Sequence, residues 1–157
     1  MIQLRAFDPF EGSMPGQDLP PIVNACEVIR HGRHPTISLD NVAAAKAMTE
    51  YLIAMGHQRI GLIKGPKGSP LTRDRLAGYE AALRDAGLAL DNTLICHGDF
   101  TLDAGYSGAG KLLALDSRPS ALFCENDEMA IGALKRIKQQ GLRVPEDISL
   151  VGFDDIP

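Results

Sequence analysis

The feature that most restricts this chain is a repeated hand-over from helical pattern to short apolar run, clearest between Tyr51 and Tyr79. Leu52, Ile53 and Met55 close one helical pattern, and Gly56 ends it because a residue without Cβ takes the left-handed cap unstrained. His57 to Arg59 form a polar bridge, and Ile60 to Ile63 are apolar at strand length. Gly65, Pro66, Gly68 and Pro70 then break all periodicity. Thr72 is placed to cap the next helix, with Asp74 adding a favourable negative charge to its first turn.

The same alternation runs through the rest of the chain. Thr36 to Leu39 read as a strand, and Asp40 or Asn41 caps a helix through Ala43, Ala44, Ala47, Leu52 and Ile53. Strand 59–64 precedes helix 73–86, which carries Leu76, Tyr79, Ala82 and Leu83 on one face and stops at Gly87. Leu94 to Cys96 are a strand, and Thr101 caps helix 102–115 with Ala104, Leu112 and Leu113 as its stripe. Ser120 to Cys124 precede helix 127–140, with Met129, Ile131, Leu134 and Ile137 facing inward and Gly141 as its end. Asp147 to Phe153 supply the last strand. Strands and helices joined by short connections predict parallel βαβ units, hence an α/β fold with a doubly wound parallel sheet.

Residues 1–35 break this rhythm. Pro9, Gly12, Pro15, Gly16, Pro20 and Pro21 interrupt every element, leaving Ile22-Val23 as a strand seed. So long an irregular opening is unusual in a compact domain. Two units are expected: 1–35, largely irregular, and 36–157 as the repeating βα body.

At 157 residues the chain suits one domain able to bury its own core. Its net charge of -4 and scattered basic residues give no support to nucleic-acid binding by this segment. Cys26, Cys96 and Cys124 are odd in number and far apart, and two of them close apolar runs; free thiols in a reducing cytoplasm are the simpler reading. No apolar run approaches membrane-spanning length, and MIQLRAFDPF lacks the pattern of a secretory signal.

Several chemical motifs fail on inspection. Gly105-x4-Gly110-Lys111 matches most of a phosphate loop, but Leu112 stands where Ser or Thr would hold magnesium, and Gly105 lies inside a helical pattern. These glycines read as close-packing positions. Cys26, His31 and His34 lack a fourth metal ligand, so no metal or other cofactor is expected. His57 occupies a helix-to-strand turn, where a supporting role is expected. No nucleophile elbow or triad pattern occurs, so the chain is not read as an enzyme.

The remaining candidates sit beyond the carboxyl ends of successive strands. Arg75 follows strand 59–64, Phe100 follows 94–96, Asn126 and Asp127 follow 120–124, and Asp154 and Asp155 follow the last strand. In a parallel sheet such positions converge on one edge, where open α/β sheets bind ligands. Singly, Asp127 is better explained as a helix cap and Arg75 as a surface partner. Together they favour a polyol or nucleoside site: Arg75 donating forked hydrogen bonds, Asp154 accepting from a vicinal diol, Phe100 stacking, and Asn126 or Asp127 orienting the ligand.

Certain phrases also resemble a known family. Gly56-His57-Gln58-Arg59-Ile60, Gly65-Pro66 and Arg75-Leu76-Ala77-Gly78-Tyr79 come first. They are followed by Gly98-Asp99-Phe100, Asn126-Asp127, Leu142-Arg143-Val144-Pro145-Glu146-Asp147 and Gly152-Phe153-Asp154-Asp155. In this order, over about residues 20–157, they are similar to the effector-binding domain of the lac-repressor family of bacterial transcription regulators. Gly98-Asp99-Phe100-Thr101 and Pro20-Pro21 look most like its cytidine-responsive members. The resemblance implies a periplasmic-binding-protein-like type I fold, incomplete here and mostly the C-terminal subdomain. It also implies effector contacts at the strand-tip residues and at Cys26, where relatives commonly carry Asp or Asn; a thiol is the weaker hydrogen-bonding group. Ala44 stands where many members have Gly. Further implications are a cytidine-like nucleoside or sugar as effector, a homodimer to which helix 127–140 contributes, and cytoplasmic location with no membrane. Operator DNA would be bound only through a helix-turn-helix that this chain does not carry. The alternative is a periplasmic sugar-binding protein of a transporter.

Overall fold

The structure is a computed structural model that describes residues 2–3, 23–26 and 35–156. Pro20, Pro21, Ile22, His31 and His34 lie outside the described residues. Two parallel sheets are present. The smaller contains β1 (Ile2–Gln3), β2 (Val23–Ala25) and β3 (Thr36–Ile37) in that order. The larger contains β4 (Ile60–Lys64), β5 (Ile95–His97), β6 (Ala121–Cys124) and β7 (Ser149–Val151) in the order β5-β4-β6-β7. Helices α1 (Asn41–Ala54), α2 (Pro70–Asp85), α3 (Leu102–Leu113) and α4 (Asp127–Gln139) complete the described part.

The larger sheet is covered on both faces, and the two-residue period of its strands decides what goes where. Ile60, Leu62, Ala121 and Phe123 point to one side, packing with Ala45 and Leu52 of α1 and Tyr79 and Leu83 of α2. Ile63, Leu122 and Cys124 point to the other, packing with Ala109 and Leu112 of α3 and Met129, Ala133 and Ile137 of α4. This is the expected doubly wound α/β sheet. Helices α3 and α4 approach so closely that a Cβ on Gly105 would collide with the Met129 carbonyl, and one on Gly132 with that of Leu102. Gly105 is therefore a packing position, and the run up to Lys111 is helix rather than phosphate loop.

Chain punctuation largely follows the sequence. Gly56, Gly87 and Gly141 take positive φ beyond their helices, and Thr101 caps α3 by accepting from the Ala104 N–H at 3.2 Å. Other expectations are corrected. Helix α2 starts at Pro70, whose fixed φ suits a first helical position, so Thr72 lies inside the first turn instead of capping it. Asp40, not Asn41, caps α1. Its buried face is Asn41, Ala45, Thr49 and Leu52, while Ala43 and Ala47 face solvent. Ile131, expected inward on α4, is 51% exposed. A 3-10 turn at Asn92–Leu94 delays β5 by a residue, and within residues 1–35 the described strands are β1 and β2.

The amino edge of the larger sheet is tied by polar side chains. His57 hydrogen-bonds to the Ser120 and Ser149 hydroxyls, each at 2.9 Å, joining the entries of β6 and β7. The Tyr79 hydroxyl donates to the Ile60 carbonyl at 2.8 Å, and Arg59 donates to the Ser117 carbonyl and to Asp91.

Candidate functional site

At the carboxyl edge, β4 and β6 are neighbours whose chains leave to opposite faces, β4 into α2 and β6 into α4. That divergence is the switch point at which an open α/β sheet leaves a crevice. A cavity of about 460 Å³ occupies it. Arg75, Phe100, Asn126 and Asp154 line it, together with Cys26, Leu39, Asn41 and Leu71. Five of the seven residues expected at the site thus share one cavity, and Cys26 reaches it from beyond the smaller sheet.

Arg75 is the most constrained of them, at 5% exposure. Its Nε donates to Asn41 Oδ1 at 2.9 Å, its Nη1 to the Glu125 carbonyl, and its Nη2 pairs with Asp154 at 3.4 Å. The guanidinium also lies over the Phe153 ring, 3.8 Å from the centroid, with Phe100 at 6.0 Å. A planar fork held by three acceptors and a ring has its orientation set before a ligand arrives. Asn126 caps α4 by accepting from the Met129 N–H at 3.0 Å and donates to the Phe100 carbonyl at 3.0 Å, so it ties the Phe100 loop to the site.

Backbone geometry marks the same place. Cys26, Phe100 and Asp154, all lining the cavity, take positive φ of 69°, 70° and 112°. Non-glycine residues adopt that region at a cost of about 1–3 kcal/mol each, and such residues gather at functional sites. Electrostatically, burial raises the Asp154 pKa, opposed by Arg75 and reinforced by Asp127.

Asp127 and Asp155 are the exceptions among the expected residues. Because Asn126 takes the cap position, Asp127 is turned one residue further around the helix and out of the cavity. Its carboxylate accepts from the Ile156 N–H at 2.9 Å and borders a second groove with Asp155, Phe153 and Met48. Its role is to hold the segment after β7. Sequence reasoning missed Asn41, Phe153 and Glu125. Asn41 becomes available because Asp40 caps α1, and Phe153 was visible in the Gly152-Phe153-Asp154-Asp155 phrase. Glu125 carried no sequence signal of burial, yet it is fully buried.

The structure is an α/β domain with an open cavity at the switch point of a parallel sheet. The family model described as periplasmic binding protein-like domain matches residues 49–157. The chain is 46% identical over 157 residues to the HTH-type transcriptional repressor CytR of Escherichia coli (strain K12), covering 99% of this chain and 46% of that protein. It therefore spans about half the length of that relative. Among solved structures, a sugar-binding transcriptional regulator of the LacI family from Escherichia coli, complexed with phosphate, superposes with TM-score 0.79 at 38% identity, covering 87% of this chain and 49% of that one. A transcriptional regulator CelR–cellobiose complex superposes with TM-score 0.79 at 36% identity, covering 86% and 42%. The chain belongs to the periplasmic binding protein-like family, in the LacI branch of transcription regulators, close to CytR.

Proposed function

We propose that this chain is the effector-sensing part of a DNA-binding transcriptional repressor, and that its cavity binds a small hydroxylated molecule, a cytidine-like nucleoside or a sugar. The observation that carries this reading is the pre-set Arg75 fork facing Phe100, Asn126 and Asp154 across one cavity. The cavity volume falls within the range of small-molecule sites. Arg75 presents N–H groups to ligand hydroxyls or a carbonyl, Asp154 accepts from a diol, and Phe100 offers a ring face. Cys26 contributes a weak polar contact from the opposite wall. The relatives support a binding module rather than an enzyme, and the name of the CelR complex gives one relative a hydroxylated ligand.

Response to effector then follows from differential binding. A ligand held between the two sheets favours whichever arrangement grips it better, and a tenfold preference supplies about 1.4 kcal/mol. The complete repressor would act as a cytoplasmic homodimer and meet its operator through a helix-turn-helix outside residues 1–157. Calorimetric titration with cytidine, adenosine, ribose and galactose tests the reading. Cytidine should bind tightest; equal binding of cytidine and simple sugars removes the nucleoside assignment, and no binding by any of the four removes the cavity as a site.

A further inference from the structure

We propose that Glu125 is a positioning residue of this cavity: its carbonyl holds Arg75, while its carboxyl group holds the Gly65 turn on which the Phe100 ring rests. Its functional meaning rests on the effector-cavity reading above, and it adds a residue that touches no ligand.

The need for such a residue arises from the topology. The β4–β6 ladder continues as far as the Glu125 N–H, which donates to the Ile63 carbonyl at 3.0 Å. Beyond that point the two chains part, and the Gly65 N–H no longer finds a backbone acceptor on β6. The Glu125 carboxyl takes that place, accepting from the Gly65 N–H at 2.7 Å. Gly65 in turn must stay bare, because a Cβ there would collide with the Phe100 ring and the Thr72 hydroxyl. Clamping this bare turn therefore decides where Phe100 can sit.

The cost of the arrangement argues against an accidental contact. Glu125 is 0% exposed, and besides the Gly65 N–H its carboxyl group has the Thr72 hydroxyl next to it. Glutamate is almost never fully buried unless paired, and burying its carboxyl group is costly. The groups facing it are the Gly65 N–H and Lys64 from β4 with Arg75 and the Thr72 hydroxyl from α2. Burial outweighs them and pushes its pKa up to about 7. The ionised carboxylate is the stronger acceptor for Gly65 and the better companion for Arg75. The clamp thus tightens as pH rises through neutrality.

Two measurements on the purified 157-residue chain decide the matter. The first needs no ligand: the Gly65 amide resonance, followed by nitrogen-15 NMR from about pH 5 to about pH 9, should titrate with a midpoint near neutrality and lose that titration in Glu125→Gln. The second is calorimetry with cytidine and ribose. Glu125→Gln keeps an acceptor for Gly65, so its affinity at about pH 8 should stay within about threefold of the parent. Glu125→Leu removes the acceptor, and its affinity should fall about tenfold or more. A Gly65 resonance indifferent to pH, or titrating equally in Glu125→Gln, overturns the proposal. So does unchanged affinity in a folded Glu125→Leu. Failure of the parent chain to bind either probe counts instead against the cavity as a nucleoside or ribose site, and the Gly65 titration still decides what Glu125 holds.

Discussion

The two edges of the larger sheet are built from the same four strands, yet they are organised on opposite principles. At the amino edge, His57, Arg59 and Tyr79 give their polar atoms to partners at ordinary distances and in ordinary backbone. At the carboxyl edge the structure tolerates what the other edge avoids. It has a buried arginine, a fully buried glutamate beside a buried Thr72 hydroxyl, and left-handed φ at Phe100 and Asp154. One edge holds the strands together. The other keeps strained backbone and buried charged groups together, as the proposed binding role requires.

Substitutions at the two edges should therefore move different observables, and the largest effect is expected from pH at Glu125. Its pKa rises from 4.5 in the unfolded chain to about 7 in the folded one, so the folded state holds the proton more tightly. Stability from this group is complete below about pH 4.5, declines as pH rises, and levels off above about pH 7, a change of about 3 kcal/mol. Urea midpoints of the parent and Glu125→Gln compared across that window should diverge with this sign; parallel curves would remove the asymmetry between the edges.

Next comes Arg75→Lys, which keeps the charge but loses the planar fork that reaches Asn41, Glu125 and Asp154 together. Cytidine affinity should fall about thirtyfold, near 2 kcal/mol, in calorimetry. Asp154→Ala should weaken binding about tenfold and leave the melting temperature within about 2 °C, because the Asp154 side chain is 41% exposed and its pairing with Arg75 is long at 3.4 Å. Unchanged affinity in that variant would discard the diol contact. The smallest effect belongs to the amino edge: Tyr79→Phe should cost about 1 kcal/mol of stability by chemical denaturation and leave ligand affinity unchanged. A fall in affinity there would mean that the two edges are not separable.

Much of this asymmetry was open to a reader of the sequence. The alternation of apolar runs with helical stripes, punctuated by Gly56, Gly87 and Gly141, determines a parallel sheet with helices on both faces. It follows that residues past successive strands gather at one edge, so Arg75, Phe100, Asn126 and Asp154 could be placed together before any coordinates. Local rules suffice there, because periodicity and capping act over a few residues. What they could not decide was where polar side chains near an element's start would point. Asp40 capping α1 sends Asn41 inward to Arg75, 34 residues away, while Asn126 capping α4 turns Asp127 out to Ile156. Glu125 is buried because two strands part beside it and leave the Gly65 N–H in need of an acceptor, 60 residues distant in the chain. Such partners are chosen by packing between elements, and no local pattern encodes them.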